Sequence, residues 1–250
     1  MIAFDVSMLR FQSMSKGTNG FYETAKTIII AVILALIFRS VAYEPFHIPS
    51  GSMKGNLLIG DYLFVSKFSY GYSRYSFPFG YDLFPGRILN DDRPQRGDVV
   101  VFRKPTDPSV DFIKRVIGLP GDRVQILDGV VYLNGEEIKR KRVEDYKEFD
   151  SENRKAVSIP QYEETLPSGR SYKVLDEEKF GMVDNTGVYH VPEGHYFVLG
   201  DNRDNSTDSR FLDVVGYIPE QNLVGRAEII VLSFGGDLVL RLGRSFQLIK

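Results

Sequence analysis

The chain contains no cysteine among its 250 residues, which removes thiol nucleophiles, disulfides, iron–sulfur clusters and cysteine zinc sites from consideration. Histidine is scarce, three copies lying far apart, so a His-rich metal site is not expected. Charge of one sign is lacking too. The 31 Lys plus Arg against 33 Asp plus Glu leave a net charge of -2, and no global basic field exists to hold nucleic acid. With 43% hydrophobic and 26% charged residues, disorder, collagen and a pure coiled coil are excluded. What is plentiful is turn and strand chemistry. The 23 Gly and 12 Pro beside 18 Phe and 14 Tyr favour many short strands and a mainly β fold over a helical bundle.

One compositional break stands near the N-terminus. Thr27 to Phe38 carry no charge, and the apolar stretch extends from Tyr22 to Tyr43 if Glu23, Lys26 and Arg39 are included. As a helix this is roughly 33 Å long, enough to cross a bilayer. Three readings compete: a membrane anchor with Lys26 and Arg39 snorkelling to the interfaces, a cleaved signal peptide ending at Ser40-Val41-Ala42, or a buried core helix. Length favours the anchor, and Arg10, Lys16 and Lys26 vote for an N-terminus in the cytoplasm.

Beyond Tyr43 a Gly-Asp pair recurs without a fixed period. Gly60-Asp61, Gly97-Asp98 and Gly121-Asp122 each precede an apolar run and read as turn then strand, whereas Gly200-Asp201 opens a polar segment. From about residue 127 to 195 the character shifts to a charged insertion with a hairpin turn at Asn134-Gly135 and mixed charge from Glu136 to Lys155. Its charges nearly cancel, which reads as a solvated surface.

Nucleophilic chemistry must start from Ser, Thr or Lys. His47, between Pro45 and Pro49, and His195, on a strand-like run, read as structural, as does His190. No Gly-x-Ser-x-Gly elbow occurs, and Ser13-Met14-Ser15-Lys16 lies before the apolar run without strand context. Pro49-Ser50-Gly51-Ser52-Met53 is the stronger element: Gly51 permits close backbone approach beside Ser52, and Ser50 offers a second hydroxyl. A base is offered by Asp111-Phe112-Ile113-Lys114-Arg115-Val116. On a strand Lys114 shares its face with Phe112 and Val116, while Arg115 points away with Ile113 and Ile117. Desolvation disfavours the charged amine; bringing it near pH 7 costs roughly 4 to 5 kcal/mol. A third element, Gly200 to Arg210, fails the calcium-loop pattern because Ser209 and Val215 stand where Gly and Glu are required. Its Asp, Asn and Ser side chains suit fixing irregular backbone, with Asp208 and Arg210 as an orienting ion pair.

Taken in order, P-S-G-S-M, the block from Gly60 to Gly71, D-F-I-K-R-V-I-G-L-P-G-D and G-D-N-R-D-N-S-T-D-S-R resemble the bacterial type I signal peptidases, membrane-bound Ser-Lys proteases that remove signal peptides from exported preproteins. The resemblance covers about residues 44 to 126 and 196 to 217. It implies Ser52 as nucleophile, Lys114 as general base, and the Ser52 amide with the Ser50 hydroxyl as oxyanion hole. Ser206 is implied to hydrogen-bond and orient Lys114, with Asp208, Arg210 and Arg115 in support. Phe46, Ile48, Leu57, Phe112 and Ile113 are implied as walls of shallow pockets that read a small-x-small (Ala-x-Ala) peptide. The chemistry implied is acyl-enzyme hydrolysis that needs no metal or organic cofactor. One departure is Gly55-Asn56-Leu57 where the family commonly has Pro-Thr-Leu.

The resemblance implies a signal-peptidase/repressor-protease-like β core, divided as residues 1–20 cytoplasmic, 21–43 transmembrane and 44–250 exoplasmic. Expected partners are preprotein signal peptides, the lipid bilayer and the export machinery, with no nucleic acid. The expected location is the bacterial inner membrane, single-pass, with the catalytic domain on the periplasmic or outer face. Tyr70 to Phe84, including Tyr72, Tyr75, Phe77, Phe79 and Tyr81 around Pro78 and Gly80, reads either as a membrane-dipping aromatic loop or as a satellite cluster on the core. Leu238 to Lys250 reads as a lipid-facing segment or a last strand. A self-cleaving repressor would open with a basic helix-turn-helix and not an apolar run. A non-catalytic anchored β domain that binds extended peptides remains the alternative.

Overall fold

In the computed structural model, which describes residues 16–77, 86–89, 92–150, 155–177, 181–236 and 239–249, three of the four Gly-Asp pairs build the same turn. Gly60, Gly97 and Gly121 have φ of 90°, 87° and 84°, the left-handed value that the third residue of a type II turn requires. The following aspartate closes each turn: Asp61, Asp98 and Asp122 accept from the amides of Leu58, Gln95 and Leu119 at 2.8, 2.9 and 2.6 Å. A distant arginine then meets each carboxylate, Arg244 on Asp61, Arg170 on Asp98 and Arg96 on Asp122. These turns launch the strands that begin at Asp61, Val99 and Arg123.

Helix α1 (Lys16–Val41) precedes β1 (Tyr43–His47), β2 (Asp61–Ser66), β3 (Val99–Lys104) and β4 (Asp107–Gly118). The smaller strands follow: β5 (Arg123–Leu127), β6 (Val130–Leu133), β7 (Glu136–Glu137), β8 (Lys139–Arg142), β9 (Tyr146–Asp150), β10 (Lys155–Ile159), β11 (Gln161–Thr165), β12 (Ser171–Leu175) and β13 (Tyr189–His190). Strands β14 (His195–Leu199), β15 (Ile218–Pro219), β16 (Leu223–Ser233) and β17 (Gln247–Leu248) complete the chain. The fold is mainly β, as expected. One eight-stranded sheet runs β1-β2-β16-β3-β4-β14-β15, with β17 added on β16. The run Val99-Val100-Val101-Phe102 is buried on both faces, as a central strand between β16 and β4 must be. Val99 and Val101 pack with Ile48, Met53, Leu63 and Ile113 on one side. Val100 and Phe102 pack with Tyr70, Val116 and Val198 on the other.

The helix differs from expectation at its boundaries. It begins at Lys16 and ends at Val41, and Tyr43 already belongs to β1, where its hydroxyl donates to Glu228 at 3.1 Å. Its apolar span Gly20–Val41 has no part buried inside the molecule, which overturns the buried-core reading and fits a transmembrane anchor.

The charged segment after β4 forms three small sheets, β13-β5-β6-β7, β12-β11-β8 and the β9-β10 hairpin, with the expected hairpin turn at Asn134-Gly135. Glu136, Glu137, Lys139 and Lys141 are exposed, as a solvated surface should be. Its inner face is different: Val124, Val131, Leu166, Tyr172 and Val174 form one apolar cluster with Ile117, Phe197 and Leu199 of the main sheet. The C-terminal segment takes its last-strand reading, since Leu248 pairs with Ile229 and Arg241 and Arg244 approach Asp61; Leu238 and Lys250 lie outside the described residues. In the aromatic segment Tyr70 is buried and donates to Asp98 at 2.9 Å, while Pro78, Phe79, Gly80, Tyr81 and Phe84 lie outside the described residues.

Candidate active site

Ser52 sits on a tight turn between β1 and β2, where Lys54 N donates to Gly51 O at 3.0 Å and Leu57 N to Met53 O at 2.8 Å. That single helical turn drives Leu57 and Met53 inward to the core beside Ile48 and leaves the Ser52 hydroxyl at the floor of a cleft of about 530 Å³. Phe46, Ile48, Phe112 and Ile113 line the cleft, with Val101 and Val110. Leu57 does not line it; being 1% exposed, it packs in the core beneath the Ser52 turn.

Lys114 faces Val100 across the β3–β4 ladder and brings its Nζ to 2.7 Å from Ser52 Oγ and 2.9 Å from the Ile113 carbonyl. Its ammonium lies 5.3 Å from the Phe112 ring centroid, on the apolar face predicted from strand alternation. Both partners are buried, Ser52 at 7% and Lys114 at 4% exposure. Burial pushes the amine from its ordinary 10.5 down to about 8, against the opposing pull of Asp208 and Asp201. Those carboxylates explain why it stops short of the pH 7 expected from burial alone.

Among the described residues no carboxylate bonds the amine, and the two nearest that act on it, Asp201 and Asp208, are each paired with an arginine. Arg115 holds Asp201 through two bonds of 2.8 Å and donates to Gly97 O at 2.7 Å. Arg210 holds Asp208 at 2.8 and 2.9 Å, the ion pair expected from sequence, and reaches Arg203 O at 2.6 Å. Asp208 also accepts from Gly200 N at 3.0 Å. This loop grips the Ser52 turn directly: Asn202 N donates to Ser52 O at 3.0 Å and its side chain to Gly51 O at 3.1 Å.

Ser50 places its hydroxyl 3.3 Å from that of Ser52. Ser206 departs from expectation. Its Oγ is buried without a hydrogen-bond partner, because Lys114 donates to Ser52 and Ile113 O instead. A Cβ on Gly200 would stand 2.1 Å from that Oγ and 2.6 Å from Ser52 O, so the loop closes on Ser52 only with glycine there. His47 lies at the cleft wall and packs on Tyr62 with ring centroids 4.9 Å apart, and His195 Nδ1 meets Glu193 O.

Several contributors were not foreseen. Asn56 donates to Asp201 Oδ2 at 2.7 Å and to Lys173 O at 2.6 Å, and Gly55 has φ 101°, a value proline cannot adopt. The Gly-Asn departure therefore ties the Ser52 turn to the Arg115–Asp201 pair. Glu148 clamps Lys54 at 2.7 Å. Glu164 receives Arg203 at 2.8 Å and Tyr172 at 2.9 Å, and the Tyr172 ring lies 4.2 Å from the Arg115 guanidinium. The only sequence signal for these groups was Asp201 within its polar block; Glu148, Glu164 and Tyr172 come from the insertion, where nothing local marks them.

A family model described as "Signal peptidase, peptidase S26" matches residues 21–232. The chain is 46% identical over 213 residues to a signal peptidase I of Rickettsia typhi (strain ATCC VR-144 / Wilmington), covering 81% of this chain and 76% of that protein. It is 44% identical over 220 residues to a signal peptidase I of Rickettsia canadensis (strain McKiel), covering 83% and 78%. Among solved structures, a signal peptidase I from Enterococcus faecalis V583 shares 31% identity with a TM-score of 0.31, covering 54% of this chain and 97% of that one.

Proposed function

The chain belongs to the signal peptidase, peptidase S26 family, and from that premise we propose that it is a serine endopeptidase that removes signal peptides with Ser52 as nucleophile and Lys114 as base. The observation that carries this reading is the 2.7 Å contact between Lys114 Nζ and Ser52 Oγ at the floor of the cleft. Once neutral, the amine takes the hydroxyl proton as Oγ attacks the scissile carbonyl. The Ser52 amide and the Ser50 hydroxyl stabilise the oxyanion. The protonated Lys114 then gives its proton to the leaving amino group of the mature protein, leaving the signal peptide esterified to Ser52. A water deprotonated by the same amine hydrolyses the ester. Ser206 is a positioning residue in this reading: its buried hydroxyl stands free to accept from the ammonium formed during attack.

The cleft supports an extended substrate. Among the described residues β1 pairs only with β2, and β4 meets β14 only from Arg115 onward. Two strand edges, at Phe46–Ile48 and Val110–Phe112, therefore flank the floor, and a peptide laid between them gains main-chain hydrogen bonds from both. Phe46, Ile48, Phe112 and Ile113 crowd the positions its alternate side chains would take, which favours small residues there. Helix α1 passes into β1 with only Ala42 between them. The eleven residue steps from Val41 to Ser52 span at most roughly 40 Å, so an anchored chain holds its dyad near the bilayer surface. In this reading residues 44–250 form a catalytic domain on the periplasmic or outer face, carrying the insertion of about 127–195 and working beside the export machinery in a single-pass arrangement. A cleavage assay with an Ala-x-Ala preprotein tests it: wild type should cut and Ser52→Ala should not. Cleavage that survives Ser52→Ala would overturn the mechanism, and no cleavage by wild type would favour the peptide-binding alternative.

A further inference from the structure

Where α1 meets the sheet a second cavity opens, about 820 Å³ in volume, lined by Leu36, Arg39, Ser40, Glu44, Lys67, Arg74, Tyr75, Phe77, Arg103 and Pro108. The charges around it do not balance. Glu44 is shared between two cations, accepting from Arg39 at 2.6 Å and pairing with Lys67 at 2.8 Å. Arg103 approaches Asp111 at 3.2 Å, and its buried Nε lacks the alignment for a hydrogen bond. Arg74 has no carboxylate partner among the described residues; its guanidinium stacks on the Tyr75 ring at 4.6 Å. Among the described residues four cations thus face two carboxylates. Burial pushes the Lys67 amine below its ordinary value, opposed by Glu44 and reinforced by the positive charge of Arg39 and Arg103.

Apolar surface adjoins these cations. Leu36 lies on the membrane-type helix, and Phe77 and Tyr75 complete a greasy wall. We propose that this cavity binds the phosphodiester headgroup of a phospholipid from the bilayer that α1 enters, the phosphate among Arg39, Lys67, Arg74 and Arg103 and the acyl chains along Leu36 and Phe77. The end of an apolar helix lies at the membrane–water interface, the depth at which headgroups sit, and clustered Lys and Arg beside such a helix favour anionic lipid. The rival occupant is the upstream part of a bound signal peptide, since Glu44 and Pro108 continue the two strands that flank Ser52. That segment is apolar and offers no charge to balance the excess cations, which favours the lipid.

The proposal rests on the anchor reading, and the test separates the two. The full chain in neutral detergent micelles is titrated with phosphatidylglycerol, diacylglycerol or soluble glycerol 3-phosphate, and bound molecules are counted by native mass spectrometry. Phosphatidylglycerol should be retained over both others. The Arg74→Gln/Arg103→Gln double variant should bind it about 25-fold more weakly, about fivefold per cation, while Arg74→Lys/Arg103→Lys should stay within about threefold of wild type, because the charge that supplies the attraction remains. Equal retention of diacylglycerol, equal binding of glycerol 3-phosphate, or an unchanged Gln double variant would overturn the proposal. So would one-for-one displacement of the lipid by a preprotein, which would assign the cavity to the substrate. Sedimentation with vesicles of an uncharged glycolipid is the separate arm: failure there removes the anchor reading and the proposal with it, whereas sedimentation without headgroup preference removes the proposal alone.

Discussion

Among the described residues two lysines are buried to nearly the same degree, Lys114 at 4% and Lys67 at 2% exposure, and only Lys114 bonds a side-chain hydroxyl, that of Ser52. Desolvation lowers both amines. Lys67 has Glu44 at 2.8 Å and the Ser76 carbonyl at 2.6 Å, so its charge is compensated by contact and it serves as a structural cation. Lys114 has only a hydroxyl and one carbonyl. The carboxylates that would otherwise neutralise it, Asp201 and Asp208, are each taken by an arginine. Burial alone therefore does not make a base; burial next to carboxylates already held by other partners does.

The comparison can be broken most forcefully at the dyad. Ser52→Ala and Lys114→Met should each lower turnover by about 10,000-fold or more, read as single-turnover cleavage of a preprotein. Lys114→Met carries a second signature. The amine's value is about 8 in the folded chain against 10.5 ordinarily, so folding disfavours its charge. The penalty, about 3 kcal/mol by linkage, is full below about pH 8 and fades as pH rises toward 10.5. Wild-type stability should climb across that window, and Lys114→Met should be more stable near pH 7 and lose that climb, as denaturant titrations at several pH values would show.

Gly200→Ala comes next. Its Cβ would meet Ser206 Oγ at 2.1 Å and Ser52 O at 2.6 Å, displacing the nucleophile from the amine, and a loss of about 100-fold in kcat is expected with the fold retained by circular dichroism. Arg210→Gln sharpens the argument differently. It leaves Asp208 without its cation, so the carboxylate's pull on Lys114 grows and the rising limb of the activity profile should move up by about one pH unit. Lys67→Met is the contrast: it should cost about 1–3 kcal/mol by stranding part of Glu44's charge, seen in chemical denaturation, while the limb stays in place.

Much of this was legible along the chain because the signals are local. The Gly-Asp turns read correctly since a left-handed glycine and a carboxylate that accepts from three residues back both lie inside a four-residue window. The face shared by Lys114 with Phe112 followed from period-two alternation, and Asp208 with Arg210 from proximity in sequence. Long-range partners were not legible. Glu164 on Arg203 and Glu148 on Lys54 join residues 39 and 94 positions apart, and a mixed-charge stretch looks the same whether its carboxylates face water or a buried arginine. Leu57 was misplaced for a related reason: its position in the motif gave no hint that one helical turn rotates it beneath Ser52 into the core. The fourth Gly-Asp pair was legible only as an exception, since Asp201 turns from capping a strand to holding Arg115.

The most direct test of the central claim is the pH dependence of kcat/KM for the full chain in detergent micelles, measured beside Arg210→Gln on the same preprotein. The account predicts a single rising limb with its midpoint at about 8 for wild type and a higher midpoint for the variant. A wild-type midpoint near that of free lysine, about 10.4, or the same midpoint in both proteins, would contradict the claim that Lys114 is the base and that Arg210 shields it from Asp208.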